Sequence, residues 1–202
     1  MSLVDTIFST RNSRKVEEAS PIFADSTIRL ITLDEAGIDG NALENGDTLE
    51  ANAAIKAWFA HERSNGTRWV IADDTGLFIR ALRQVPGVHT AIWGGSDLSA
   101  EERMRYCLKE MQGFTRDRFA TFRTVVCVVG PQRQEHLFHG QVYGDLLEEP
   151  RVEPHPSMPF APLFVPRGHR LSLAEMPVLE ENAISHRGQA FRKARTFLEA
   201  NT

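Results

Sequence analysis

The stretch Val70-Ile71-Ala72 runs directly into two adjacent carboxylates, Asp73 and Asp74, and then into Thr75-Gly76-Leu77. A short apolar run closed by a turn reads as a buried strand, with the aspartates at its C-terminal end. Open α/β sheets collect their ligands at that end. Successive side chains of an extended segment point to opposite faces. One carboxylate is therefore expected to face a site and the other to be structural. The same residues also read as a strand-ending turn with solvated aspartates, and other parts of the chain bear on the choice.

Upstream, Ile7 to Thr10 reads as a first strand, followed by the polar turn Arg11-Asn12-Ser13-Arg14-Lys15 and a helix from Val16 that Pro21 should shorten. Strand, polar turn and helix start together offer backbone N–H groups to an anion. Cations in a first helical turn oppose the helix dipole, which points to a bound anion, while a solvated basic helix N-terminus reads equally well from these residues. The turn is no Walker loop, for it lacks the glycines and the Gly-Lys-Ser/Thr ending. Ile28 to Leu33 reads as a second strand, Asp34 to Asp47 as an acidic loop, and Thr48 onward as a helix ended by Asn65-Gly66. Ser99-Ala100-Glu101-Glu102 is a capping box that opens a helix to about Met111. Phe119 to Val129 is a long β-branched and aromatic strand. His136-Leu137-Phe138 and Gln141-Val142-Tyr143 read as a meander turned at Gly140, and Glu148 to Pro166 as a proline-rich loop. A last helix spans about Gly188 to Glu199 with Ser185 as its cap. Helices and strands alternate and a β-rich stretch interrupts them. The expectation is an α/β fold with a mixed sheet and flanking helices, in two lobes with a cleft between them.

At 202 residues the chain is long enough for one domain of two lobes, 1–202, with a sizeable core. Its net charge of -4 offers no global attraction to nucleic acid or to an anionic membrane, so a polyanionic ligand must rely on local cations. Cys107 and Cys127 form no metal or redox motif and fit buried positions in a reducing cytoplasm. No signal peptide or membrane span is expected.

Four ordered motifs carry a resemblance. They are Ser9-Thr10-Arg11-Asn12-Ser13-Arg14-Lys15-Val16-Glu17-Glu18; Leu43-Glu44-Asn45-Gly46-Asp47-Thr48 continuing to Asn52-Ala53-Ala54-Ile55-Lys56-Ala57; Ala72-Asp73-Asp74-Thr75-Gly76-Leu77 followed by Pro86-Gly87-Val88; and Ala183-Ile184-Ser185-His186-Arg187-Gly188-Gln189-Ala190. From Ser9 to Phe191 the chain resembles the inosine/xanthosine triphosphate pyrophosphatase family. Those enzymes cut purine nucleoside triphosphates to monophosphate and pyrophosphate. The resemblance implies a Mg²⁺-dependent cytoplasmic hydrolase that forms a homodimer, with no nucleic-acid or membrane partner. It makes Glu44 and Asp74 metal-binding acids, with Asp74 also the proton acceptor for the attacking water. It makes Thr10, Asn12, Lys15 and Lys56 phosphate contacts and Thr75 a further substrate contact, and it brings His186 and Arg187 to the nucleotide.

Three departures stand out. The family's glycine in the first loop is Arg11, which adds a cation near the phosphates. The family's Glu before Asn-Ala is Ala51, with Glu50 one residue earlier. The Gly-Phe-Gly-Tyr-Asp-Pro loop is matched by Ser157-Met158-Pro159-Phe160-Ala161-Pro162, which keeps Phe160 as an aromatic platform but loses the acid at Ala161. The family's Lys before Asn-x-x-Ser-His-Arg is Glu181, and an ionised carboxylate accepts but cannot donate. Base selectivity is therefore expected to differ from inosine and xanthosine while the reaction stays. Two alternatives remain at this point: a nucleotide-binding regulatory protein with weakened turnover, and a pyrimidine-specific triphosphate pyrophosphatase.

Overall fold

The computed structural model describes residues 3–202. Their elements are β1 Val4–Phe8, α1 Ser13–Phe23, β2 Ile28–Thr32, α2 Leu49–Arg63, β3 Trp69–Ile79, β4 Pro86–Gly87, α3 Ala100–Glu110, β5 Phe119–Val129, β6 Glu135–Leu146, β7 Phe164–Pro166, α4 Val178–Ile184 and α5 His186–Asn201. The strands join in the order β2-β1-β3-β5-β6-β7, with β4 paired to β3. β1 is parallel to β2 and β3, whereas β3–β4 and β6–β7 are antiparallel. The fold is the mixed α/β arrangement expected, with helices flanking the sheet.

The chain divides into two compact units. Unit 1 holds the residues up to Asp74 with Thr124–Gly140 and Ser185–Thr202; unit 2 holds Thr75–Arg123 and Gln141–Ile184. Each has its own apolar core. In unit 1, Phe8, Ala19, Phe23, Ile71, Val126 and Phe191 are buried together. The Phe191 ring meets Phe8 and Phe23 edge-on at 5.3 and 6.3 Å, locking α5 to α1 and β1. Burying a ring of that size contributes ~1.5–3 kcal/mol, more than any local helix preference supplies. In unit 2, Leu77, Ile79, Met104, Cys107, Phe122, Phe160 and Leu163 form the second core. Both cysteines are free and buried, and burial pushes each thiol up to about 12.

Several element boundaries differ from the sequence reading. β3 does not end at Asp73-Asp74 but runs on to Ile79, so the aspartates lie in mid-strand. Thr75-Gly76 is no turn: a Cβ on Gly76 would lie 2.5 Å from the Gly87 carbonyl oxygen, and glycine lets β4 approach. β6 likewise passes straight through Gly140. A Cβ there would lie 1.9 Å from the His186 carbonyl oxygen, so this glycine admits the start of α5 instead of turning the chain. α1 continues past Pro21 to Phe23. That proline lies in the last turn, where its missing N–H removes a single intrahelical bond. The proline-rich stretch closes with β7, and α4 follows it.

Candidate active site

Four local signals position the charged residues of unit 1. Asn12 caps α1, its side-chain oxygen accepting from the N–H groups of Arg14 and Lys15 at 3.0 and 3.4 Å. Thr10 Oγ1 accepts from the Asn12 N–H at 3.2 Å and fixes the turn before the cap. Thr48 caps α2 by accepting from Ala51 N–H at 3.1 Å. Ser9 at the end of β1 donates to the Lys56 carbonyl oxygen at 2.7 Å, tying α2 to the sheet. Helical spacing then carries Lys15 and Glu18 inward on α1, and Lys56 inward on α2.

Asp73 and Asp74 face different partners, as the strand alternation requires. The solvated-turn reading fails, since the two are 1% and 8% exposed. The Asp73 carboxylate lies 3.0 Å from Lys15 Nζ and 3.4 Å from Arg187 Nε. Lys15 Nζ also donates to the Asp73 carbonyl oxygen at 3.2 Å. Arg187 binds Glu18 through Nη1, and Glu18 receives Arg14 Nε at 2.8 Å. Two buried acids thus hold three cations. The charge in the first turn of α1 is matched from within the protein. Removing an acid of such a buried set costs ~3–5 kcal/mol, because its cations are left unpaired.

Asp74 and Glu44 converge on one ammonium group. Lys56 Nζ donates to Asp74 Oδ1 and to Glu44 Oε2, both at 2.7 Å. Lys56 and Asp74 side chains are nearly covered, while Glu44 is 46% exposed on the loop before α2.

The electrostatics separate the two aspartates. Burial pushes Asp73 up, but Lys15, Arg187 and Lys56 outweigh it and hold its pKa at about 2. Burial dominates at Asp74 and leaves its pKa raised despite Lys56. Burial also lowers Lys15, which has Asp73 as its main acid and Lys56 and Arg187 as opposing cations. The Asp73–Lys15 pair is therefore favourable for the acid and costly for the amine, because Asp73 faces three cations. Burial works against Lys56 too, yet Asp74, Asp73 and Glu44 together hold its pKa above the ordinary value. His186 is buried at the start of α5, where burial carries its pKa well below the usual value and keeps the ring neutral.

Of the sequence-derived site residues, Lys15, Glu44, Lys56, Asp74 and Arg187 are linked through these contacts and Asp73. Thr10 and Asn12 sit on the turn before α1, and His186 opens α5. The others belong to unit 2. Thr75 follows Asp74 in β3, half-buried. Glu181 lies in α4 at 1% exposure, its N–H donating to the Pro177 carbonyl oxygen at 2.9 Å. Phe160 departs from expectation. At 1% exposure, with its ring 5.8 Å from Trp93, it is a core residue with no open face for a base. Ala161 beside it is buried in the same core.

Arg11 also departs. Its guanidinium does not stand free among the other cations of the turn. It binds the Asp34 carboxylate, the carbonyl oxygens of Ile38 and Gly40 at 2.8 and 3.0 Å, and Asn41 Oδ1 at 3.1 Å. Sequence reasoning gave no role to the buried pairs of Glu18, although its i,i+4 spacing from Arg14 was a usable signal.

No group of three or more His, Cys, Asp or Glu side chains among the described residues is arranged to hold a metal. The pair Glu44 and Asp74 nevertheless suits a hard cation. Both present carboxylate oxygens, they meet at one cationic point, and Mg²⁺ commonly takes only one or two carboxylates with waters and phosphate oxygens. No helix among the described residues is long and apolar enough to cross a membrane.

Comparison with known proteins places the chain. Residues 6–197 match the Ham1 family model. A dITP/XTP pyrophosphatase of Porphyromonas gingivalis is 36% identical over 192 residues, covering 95% of this chain and 96% of the relative. That of Bacillus subtilis is 33% identical, covering 97% and 98%. A solved HAM1 protein from Coxiella burnetii superposes with a TM-score of 0.84 at 31% identity, over 97% of this chain and 98% of that one. The Ham1 protein of Staphylococcus aureus gives 0.83 at 28% identity, over 98% and 100%. With a family match over nearly its whole length, full-length pyrophosphatase relatives and the same fold, the chain belongs to the Ham1 family and is an enzyme of the nucleoside triphosphate pyrophosphatase type.

Proposed function

We propose that this protein hydrolyses a nucleoside triphosphate between the α and β phosphates, releasing nucleoside monophosphate and pyrophosphate with Mg²⁺ as cofactor. The observation that carries the reading is the convergence of Glu44 and Asp74 on Lys56. Asp74 is the strand neighbour of an acid that gathers two further cations. A polyanion needs cations close at hand, and phosphoryl transfer is mostly positioning and charge neutralisation.

The geometry supports the following roles. Asp74 accepts a proton from the water that attacks the α-phosphorus; burial raises its pKa and makes it a stronger base than a solvated aspartate. The new P–O bond forms as the bond to the bridging oxygen breaks, and pyrophosphate leaves with that electron pair. Lys56 orients the Asp74 carboxylate through Oδ1. Lys15 and Arg187, aimed by Asp73 and Glu18, neutralise phosphate charge. Asn12, its oxygen engaged in the cap, offers its amide N–H₂ to phosphate, and Thr10 supports that turn. Thr75 and His186 complete the substrate contacts. Glu44 and Asp74 would hold Mg²⁺. When bound, the ion polarises phosphate oxygens and offsets the charge that develops on them.

Base preference is the finer part of the proposal. Two family positions that resemble base readers hold Ala161 and Glu181, and a carboxylate favours a base with N–H donors over a bare carbonyl. An amino-bearing base should be preferred to hypoxanthine by about 10- to 150-fold, the worth of one charged hydrogen bond. The test is a nucleotide panel assayed for phosphate with and without added inorganic pyrophosphatase. Signal that depends on the coupling enzyme supports α–β cleavage; orthophosphate released without it overturns that reading.

A further inference from the structure

Arg11 occupies a position where the resembling loop carries glycine, and its side chain reaches across to a different segment. Four groups within residues 34–41 receive it: the Asp34 carboxylate, the Ile38 and Gly40 carbonyl oxygens, and the Asn41 side chain. That segment has no regular secondary structure and leads directly to Glu44. Its far end is also tied. Asn52 of α2 accepts from the Gly46 N–H at 2.8 Å, and a Cβ on Gly46 would lie 2.7 Å from the Ala51 Cβ. Between the two ties the chain is mostly exposed, with Leu43 at 78% exposure. Glu44 therefore reaches Lys56 from a span pinned at one end by Arg11 and at the other by Asn52.

We infer that Arg11 is a positioning residue: it joins the turn carrying Thr10 and Asn12 to the loop carrying Glu44, and so sets where that carboxylate stands for the metal. A guanidinium suits this because its rigid fork serves a carboxylate and carbonyl oxygens together, which an ammonium group cannot do in one geometry. Glycine at this position would leave the Asp34–Asn41 segment without any of these bonds. The Asp34 pair itself is too exposed to stabilise the fold much. The purpose of the arrangement is alignment of the loop.

The inference rests on Glu44 being a metal ligand, and the experiment separates the two. Mg²⁺ binding by titration calorimetry, the Mg²⁺ needed for half-maximal turnover, and amide exchange over 38–46 are measured for wild type, Arg11→Gly, Arg11→Lys and Glu44→Gln. Arg11→Gly should weaken Mg²⁺ binding about tenfold, as loss of an outer-sphere support does. It should also speed exchange over 38–46, with α1 exchange and the melting temperature nearly unchanged. Arg11→Lys should fall between, keeping the Asp34 pair and losing the carbonyl bonds. If Glu44→Gln leaves Mg²⁺ binding intact, the metal reading of Glu44 fails and the inference falls with it. If Glu44→Gln weakens binding but Arg11→Gly does not, the inference alone is overturned. An Arg11→Gly effect confined to nucleotide KM, at unchanged Mg²⁺ affinity, also overturns it, since Arg11 would then be a phosphate contact.

Discussion

Lys15, Lys56, Asp73, Asp74 and Arg187 in unit 1 each meet opposite charge at 2.7–3.4 Å. Phe160 and Ala161 in unit 2 instead lie at 1% and 3% exposure among apolar side chains. The difference is one of constraint. In the first region the loss of Asp73 strands the two buried cations paired with it, at ~3–5 kcal/mol, whereas a single cation can go while the other still holds that acid. In the second, an alanine inside an apolar core leaves no unpaired partner, and the position is free to differ from the resembling loop without loss of fold.

The largest expected effect breaks the coupled region at its base. Asp74→Asn removes the charge with little change of shape, and turnover at saturating Mg²⁺ should fall by ~100-fold or more, the lower end of a positioned base's contribution. Near-normal turnover would remove Asp74 from the mechanism. The next tests Glu181 and Ala161 of unit 2. Glu181→Lys combined with Ala161→Asp should move the kcat/KM ratio toward inosine or xanthosine triphosphate by about 10- to 150-fold, leaving the Mg²⁺ requirement alone. The double variant is assayed below its melting temperature, because the new aspartate adds a charge to an apolar core. A wild type that already prefers inosine triphosphate, with an unchanged ratio in the double variant, would sink the proposed base preference.

A third test asks what the coupling contributes to folding. Asp73 has a folded pKa of about 2, below the ordinary aspartate value of 3.8. Because the folded value is the lower one, its contribution is fully present above pH 4 and is lost as pH falls toward 2. The shift corresponds to about 2 kcal/mol at neutral pH. Acid unfolding followed by circular dichroism should therefore steepen between pH 4 and 2 in wild type and flatten there in Asp73→Asn. Parallel acid limbs for the two proteins would show that the cations around Asp73 do not favour its charged form.

What the sequence made legible is local. The capping box Ser99 to Glu102 and the Ser185 cap both stand as read, because each needs only residues three apart. Gly76 and Gly140 look like turns in a linear reading and are not. Their reason for being glycine is another backbone arriving from elsewhere, the Gly87 carbonyl for one and the His186 carbonyl for the other. The charged site divides the same way. Its residues were found through motif order, but their pairing was not, since Arg187 and Asp73 are 114 positions apart and Arg187 and Glu18 are 169 apart. Arg11 was read as a cation near phosphate because its partners, 23 to 30 positions away, are invisible in a linear reading.

The smallest effect sharpens the comparison most directly. Lys15→Ala removes one of the two cations paired with Asp73, and Arg187 remains to hold that carboxylate. If Lys15 serves phosphate, its loss should raise KM about tenfold, the lower end of a charged hydrogen bond's worth. The rise should be the same for every accepted base, because a phosphate oxygen carries no information about the base attached beyond it. The comparison between regions thus becomes quantitative. A unit 1 substitution scales all nucleotides together, whereas the Glu181/Ala161 exchange changes their ratio. Measuring KM for four triphosphates in Lys15→Ala decides it. A base-dependent rise would place Lys15 among the base contacts and erase the division between the two regions.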